Sequence, residues 1–252
     1  MTTPESRRFV IGDVHGHYQG LLQLISLLEL DAADQVFFLG DLIDRGPNSS
    51  KIVDFVIERS YSCLLGNHEQ LMVSALANAN LSSHSSVLQM WLQAGGSETL
   101  QSYSSKQHLW QHLAWFKTLP SYLDLGDYWL VHAGLHPDLP LENQTAQEFC
   151  WIRREFHHMS APYFSNKQII TGHTMTFTFP GVEPGQLVQG AGWLDIDTGA
   201  YHPMSGWLTA LELSSLMVYQ INVHRDTTRV HPLSEVVVPL EFNPHSASMS
   251  IG

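Results

Sequence analysis

Apolar residues run through the first third of the chain in three short unbroken stretches, each leading into glycine and a polar residue. Phe9-Val10-Ile11 leads into Gly12-Asp13, Val36-Phe37-Phe38-Leu39 into Gly40-Asp41, and Cys63-Leu64-Leu65 into Gly66-Asn67. Without polar alternation they read as strands buried on both faces. Between them, Leu21, Leu22, Leu24, Ile25 and Leu28 share one helical face. Ile52, Val53, Val56 and Ile57 share another, with Asn48 or Ser49 as N-cap. A further helix is expected over about 69–79. The order β-α-β-α-β predicts a parallel sheet with right-handed crossovers. Its C-terminal strand ends gather Asp13, Asp41 and Asn67 on one edge, where open α/β sheets bind ligands.

Residues 80–120 read as a helical insertion. It enters through a Ser- and Asn-rich stretch, and its first helix is expected to stop at Gly95-Gly96. Two more helices follow, the last ended by Pro120. Strands resume at 128–131, ending in His132, and at 168–170, ending in Thr171-Gly172-His173. Others are expected at 192–197, 208–213 and 217–223. The β-rich last third predicts a second sheet, and sheet on sheet with outer helices makes a layered α/β sandwich. The chain, 1–252, is expected to be a single domain. Its tail from about 236 is apolar but broken by prolines.

Composition narrows the function classes. Lys and Arg number 12 against 24 Asp and Glu, a formal charge of −12. This balance disfavours nucleic-acid backbone binding and an anionic membrane surface. It leaves small phosphorylated ligands open, since a bound cation inverts the local field. Cys63 and Cys150 form no CxxC and no disulfide framework. There is no signal-like N-terminal stretch and no run approaching the ~20 apolar residues of a membrane span. A cytoplasmic protein is the expectation.

The strand ends carry Asp13 and His15, Asp41 and Asp44, Asn67 and His68, His132, and His173. Aspartate and asparagine oxygens with imidazoles suit two divalent metals, with manganese foremost and iron, zinc or cobalt as alternatives. At these residues the sequence resembles the calcineurin-like metallophosphoesterases, and specifically their phosphoprotein phosphatase branch. The branch motifs GDxHG, GDxxDRG and GNHE stand here in full as Gly12–Gly16, Gly40–Gly46 and Gly66–Glu69, followed by VHAG and TGH. WLQAGGSETLQSY, WIRREF and DIDTGAY resemble segments of the short bacterial members, which include protein phosphatases and symmetrical diadenosine tetraphosphate hydrolases.

The resemblance implies two mixed β-sheets flanked by helices, with the helical insertion. It implies that Asp13, His15 and Asp41 bind one metal, and that Asp41 bridges to a second held with Asn67, His132 and His173. Arg45 and Arg153, with Asn67, would hold phosphate oxygens. His68, oriented by Asp44, would protonate the leaving group after direct attack by a metal-bridging hydroxide. Arg153 is preferred to Arg154 because Trp-x-Arg matches the bacterial pattern, and Glu69 reads as a supporting residue. His17, His136 and Met175 depart from the bacterial pattern. Trp91, Trp110 and Trp115 read as core. His84, His108, His112, His157, His158, His202, His224, His231 and His245 carry no motif and read as surface or satisfied core.

The expected activity is metal-dependent hydrolysis of phosphomonoesters, with phosphoproteins (serine/threonine, tyrosine open) as the first class. Symmetrical dinucleoside tetraphosphate hydrolysis is the alternative. Only Lys106 and Lys117 supply positive charge to the insertion, which disfavours a tetraphosphate cradle. A catalytically silent metal-binding module is the third reading; the complete motif set argues against it.

Overall fold

Three parallel strands open the chain, as the unbroken apolar runs require. The computed structural model describes residues 6–77 and 86–240. It begins β1 (Arg8–Ile11), α1 (Tyr18–Leu27), β2 (Gln35–Phe38), α2 (Ser49–Glu58), β3 (Ser62–Cys63), α3 (Asn67–Ala77). The insertion supplies α4 (Ser86–Trp91), α5 (Ser97–Ser102) and α6 (Lys106–Phe116). Then come β4 (Tyr122–Asp124), β5 (Tyr128–Val131), α7 (Ala146–Trp151), α8 (Arg154–His157), β6 (Gln168–Thr171), β7 (Leu187–Gly190) and β8 (Trp193–Asp195). The chain finishes with β9 (Trp207–Glu212), β10 (Met217–Asn222), β11 (Thr227–Pro232), α9 (Leu233–Val236) and β12 (Val237–Pro239).

Two mixed six-stranded sheets result, in the orders β11-β10-β9-β1-β2-β3 and β12-β7-β8-β6-β5-β4. Successive side chains point to opposite faces with the period of two that a pleat imposes, and both faces are buried. Val10, Phe37, Leu130, Ile170 and Leu194 fill the space between the sheets. Phe9, Ile11, Val36 and Phe38 face outward against the early helices and the insertion. Trp129, Val131, Ile169 and Trp193 face outward against Phe149 and Phe156 on the other side. Strands covered on both faces leave no position for polar alternation.

The structure corrects several expectations. Strands β9 and β10 do not join the second sheet; β9 pairs antiparallel with β1, and β11, where no strand was expected, extends the same sheet beside β10. The free edge of β1 needs backbone partners, and the returning chain supplies them. The second sheet instead uses β4, β7 and β12, which carried no clear strand signal. The segment after about 236 thus contributes an edge strand. The helix expected from 69 begins two residues earlier, at Asn67. The helical path of the first insertion helix does break at Gly95, whose φ of 111° and ψ of 8° are non-helical, and α5 starts immediately after this kink. Asn48 sits at the α2 N-cap position without a side-chain capping bond. The Ser- and Asn-rich entry at 78–85 and the tail from 241, with His84 and His245, lie outside the described residues. No helix among the described residues is long and apolar enough to cross a membrane.

Candidate active site

Both sheets feed one site. The parallel strands β1, β2 and β3 end at Asp13 and His15, at Asp41, Asp44 and Arg45, and at Asn67 and His68. In the other sheet β5, β6 and β8, also mutually parallel, end at His132, His173 and Asp197. Every one of these side chains except Arg45 is buried. His15, Asp41, Asp44, Arg45 and His173 all have positive φ, between 47° and 72°. Such non-glycine geometry costs of order 1–3 kcal/mol each and persists only where surrounding contacts enforce it.

Asp41 is the hub. Its Oδ2 lies 3.6 Å from His15 Nε2 and its Oδ1 lies 3.4 Å from His132 Nε2. Its Oδ1 also accepts from the His68 backbone N–H at 3.0 Å. Asn67 Oδ1 stands 2.8 Å from His132 Nε2 and 2.9 Å from His173 Nδ1. Two donor clusters therefore share Asp41: one with His15 and His68, the other with His132 and His173. The Asp13 carboxylate lies in neither cluster; it accepts the His173 backbone N–H at 3.2–3.3 Å.

The donor chemistry fits cations at these two points. A neutral imidazole carries one N–H. His15 Nδ1 is 2.9 Å from the Ile43 carbonyl, and His132 Nδ1 is 2.9 Å from the Leu39 carbonyl. Those carbonyls take the protons and leave both Nε2 lone pairs aimed at oxygen acceptors. A shared cation reconciles lone pair facing lone pair, and the backbone carbonyls then act as orienting partners. The imidazoles are held neutral: burial lowers His15 to about 3 and also lowers His132 and His173. Burial, aided by neighbouring Asp197 and Asp41, pushes the Asp13 carboxyl well up. Burial also pushes Asp197 up to about 7. Crowded buried carboxylates without cationic side chains at contact distance call for metal charge.

His68 is arranged differently. Its Nδ1 is 2.6 Å from Asp44 Oδ2 and its Nε2 is 3.9 Å from Asp41 Oδ2. Burial acts to lower its pKa, but the two carboxylates outweigh burial and raise it. Asp44 is itself held from the insertion. Thr99 Oγ1 donates to its Oδ1 at 2.6 Å, and Trp91 Nε1 donates to both oxygens at 3.1 Å. The insertion thus does more than cover a sheet edge, and Trp91 is a core residue that also grips Asp44. Gly95 makes this possible. At φ 111° its carbonyl accepts Arg45 N–H at 3.3 Å, and a Cβ there would lie 2.4 Å from Arg45 N.

Glu69 plays the expected supporting part. Its buried carboxylate accepts the backbone N–H groups of Asp41, Leu42, Ile43 and Gly66 at 2.8–3.3 Å. This cage fixes the turn that carries Asp41. Glu69→Gln sets an NH₂ against N–H donors, so it is expected to destabilise the fold by about 1–3 kcal/mol. Denaturant unfolding of the metal-free protein measures this, and an unchanged midpoint would remove Glu69 from the account.

A cavity of ≈ 380 Å³ opens over the cluster, lined among others by Arg45, Trp151, Arg153, Met175, Asp197 and Tyr201. Arg45 lies over the Tyr201 ring, 4.4 Å from its centroid. Arg153 Nη1 donates to the His173 carbonyl and to Thr174 Oγ1. Arg154 does not line this cavity. His17 is not part of the cluster; it stacks edge-on with His224 and lines a neighbouring cleft. His136 lines another cleft, together with Trp151 and Arg153. Sequence reasoning missed Asp197, Tyr201 and Trp151. The DIDTGAY and WIRREF segments had pointed to their neighbourhood, but nothing in their spacing assigned a role. Burial pushes the Cys63 thiol well up and the Cys150 thiol up to about 12, so neither is a thiolate nucleophile.

A model of the calcineurin-like phosphoesterases matches residues 6–194. The chain belongs to this family. Members of this family use a dinuclear metal centre, and the buried His and Asp groups gathered here could hold such ions. The curated protein "Bis(5'-nucleosyl)-tetraphosphatase, symmetrical" of Nitrosomonas europaea is 30% identical over 165 residues, covering 63% of this chain and 57% of that protein. Its counterpart in Nitrosospira multiformis is 30% identical over 167 residues, covering 63% and 56%. The match thus spans little more than half the length of these relatives. A metallophosphoesterase structure from Sphaerobacter thermophilus shares the fold with TM-score 0.55 at 19% identity, covering 82% of this chain and 83% of the other.

Proposed function

We propose that this calcineurin-like phosphoesterase hydrolyses symmetrical dinucleoside tetraphosphates, with manganese as the metal. The observation that carries the reading is the shape around the cluster. The central cavity shares Arg45 and Tyr201 with a cleft of ≈ 450 Å³, and Trp151 and Arg153 with another of ≈ 440 Å³. Each boundary pairs an arginine with an aromatic ring. A long polyphosphate with a base at each end suits guanidinium forks along its length and rings at its ends. The activity named for the curated relatives supports the same class. The shortage of Lys and Arg in the insertion, which favoured a phosphoprotein substrate, loses its weight: Arg45 and Arg153 come from outside the insertion.

In this reading Asp13, His15 and Asp41 hold one metal, and Asp41, Asn67, His132 and His173 hold the other. The pair supplies an activated water at neutral pH and neutralises phosphoryl charge. Arg45 and Arg153, with Asn67, hold the phosphate oxygens. His68, charged and oriented by Asp44, gives a proton to the leaving oxygen. No side chain serves as a covalent nucleophile. The test is a comparison of kcat/KM for diadenosine tetraphosphate and a phosphoserine peptide, with manganese present and products separated. Faster turnover of the tetraphosphate, with ADP as sole nucleotide product, is expected. Faster turnover of the peptide, or release of AMP with ATP, would overturn it.

A further inference from the structure

Away from the phosphoryl site, the helical insertion meets the first sheet's helices through a second cluster of metal-binding side chains. His108 and His112 stand one turn apart on α6, and Asp54 faces them from α2. Asp54 Oδ1 lies 2.8 Å from His108 Nε2 and 3.0 Å from His112 Nε2. The two imidazole rings lie 4.4 Å apart, centroid to centroid. All three donor atoms fall within 4.8 Å of one another. Nothing in the sequence pattern marked these histidines, which read as surface or satisfied core; they meet only because α2 and α6 pack together.

We propose that Asp54, His108 and His112 form a third divalent-cation site, of zinc type, which clamps the insertion to α2. Two imidazole nitrogens and one carboxylate oxygen are a common zinc donor set. At zinc bond lengths the donors would stand roughly 3.4 Å apart, so the cluster need open by only a few tenths of an ångström. An orienting partner is in place, since Tyr103 Oη lies 2.9 Å from His112 Nδ1. With the site empty, both Nε2–H groups donate to Asp54 and the tyrosine donates to His112 Nδ1. With metal bound, the His112 proton sits on Nδ1 and the tyrosine oxygen accepts it. Burial lowers the His112 pKa and keeps the ring in the neutral form a metal needs. The His112 side chain is 4% exposed, but His108 is 27% and Asp54 39% exposed. Solvent can therefore reach the site and complete the coordination. The consequence reaches the active site through the fold, because the insertion also carries Trp91 and Thr99, which hold Asp44.

The test uses the full-length protein, stripped with chelator and dialysed against buffered zinc. Zinc per chain and the zinc-induced rise in Tm are measured for the parent, His108→Gln and Asp54→Asn. Both substituted side chains are partly exposed, and far-UV circular dichroism checks their folding; either variant alone decides the question. Each is expected to bind about one zinc fewer than the parent and to show a smaller zinc-induced rise in Tm. Zinc content and Tm response equal to the parent would overturn the proposal. Neither variant touches the phosphoryl site, so the outcome is separable from the substrate assignment.

Discussion

Asp41→Asn is expected to cost more activity than any other single substitution and to reduce bound manganese from two ions toward one per chain. The carboxylate oxygens face opposite ways, Oδ1 toward His132 and Oδ2 toward His15. An amide keeps the size but replaces one oxygen with an NH₂ and removes the charge both clusters share. Loss of an outer partner of a metal ligand already costs about 10–100-fold in metal affinity or activity. A residue serving two ions should exceed that, so kcat/KM should fall by more than about 10²-fold. Turnover assays beside elemental analysis measure both quantities. Two ions per chain with near-parent turnover would remove Asp41 from the bridging position.

His68→Ala should separate substrates by their leaving groups while metal content holds. Its Nδ1 is tied to Asp44 at 2.6 Å, and the carboxylates around it favour the protonated ring. A poor leaving group such as a serine alkoxide needs that proton most. For phosphoserine peptide, as a slow side substrate, the expected loss in kcat is on the order of 10²–10⁴, the span of general acid catalysis. Diadenosine tetraphosphate expels a nucleoside diphosphate, a far weaker base, and p-nitrophenyl phosphate an acidic phenol; both should lose less. Asp44→Asn should give the same ranking more weakly, because Asp44 positions and charges the imidazole rather than donating. Equal losses on all three substrates would make His68 an electrostatic clamp on the phosphoryl group instead.

The parts of this molecule that could be read in advance are those where one local pattern forces one geometry. Unbroken apolar runs ending in glycine demand doubly covered parallel strands, and parallel strands bring Asp13, Asp41 and Asn67 to one edge. The complete motifs then supplied the partners His15, His68, His132 and His173. What escaped depends on contacts between distant segments. The pairing of β9 with β1 is decided by an open strand edge that no window of sequence displays. Asp197 and Tyr201 enter the cavity from the far sheet. Thr99 and Trp91 reach Asp44 only because Gly95 lets the insertion backbone close on Arg45. His108 and His112 looked like isolated histidines until α6 laid them on Asp54.

Crystals grown with manganese, measured above and below its absorption edge, test the central claim most directly. The account predicts two anomalous peaks about 3.5–4 Å apart, straddling Asp41. One should lie beside Asp13 and His15, and the other among Asn67, His132 and His173. A single peak, or two peaks that do not share Asp41, would contradict it.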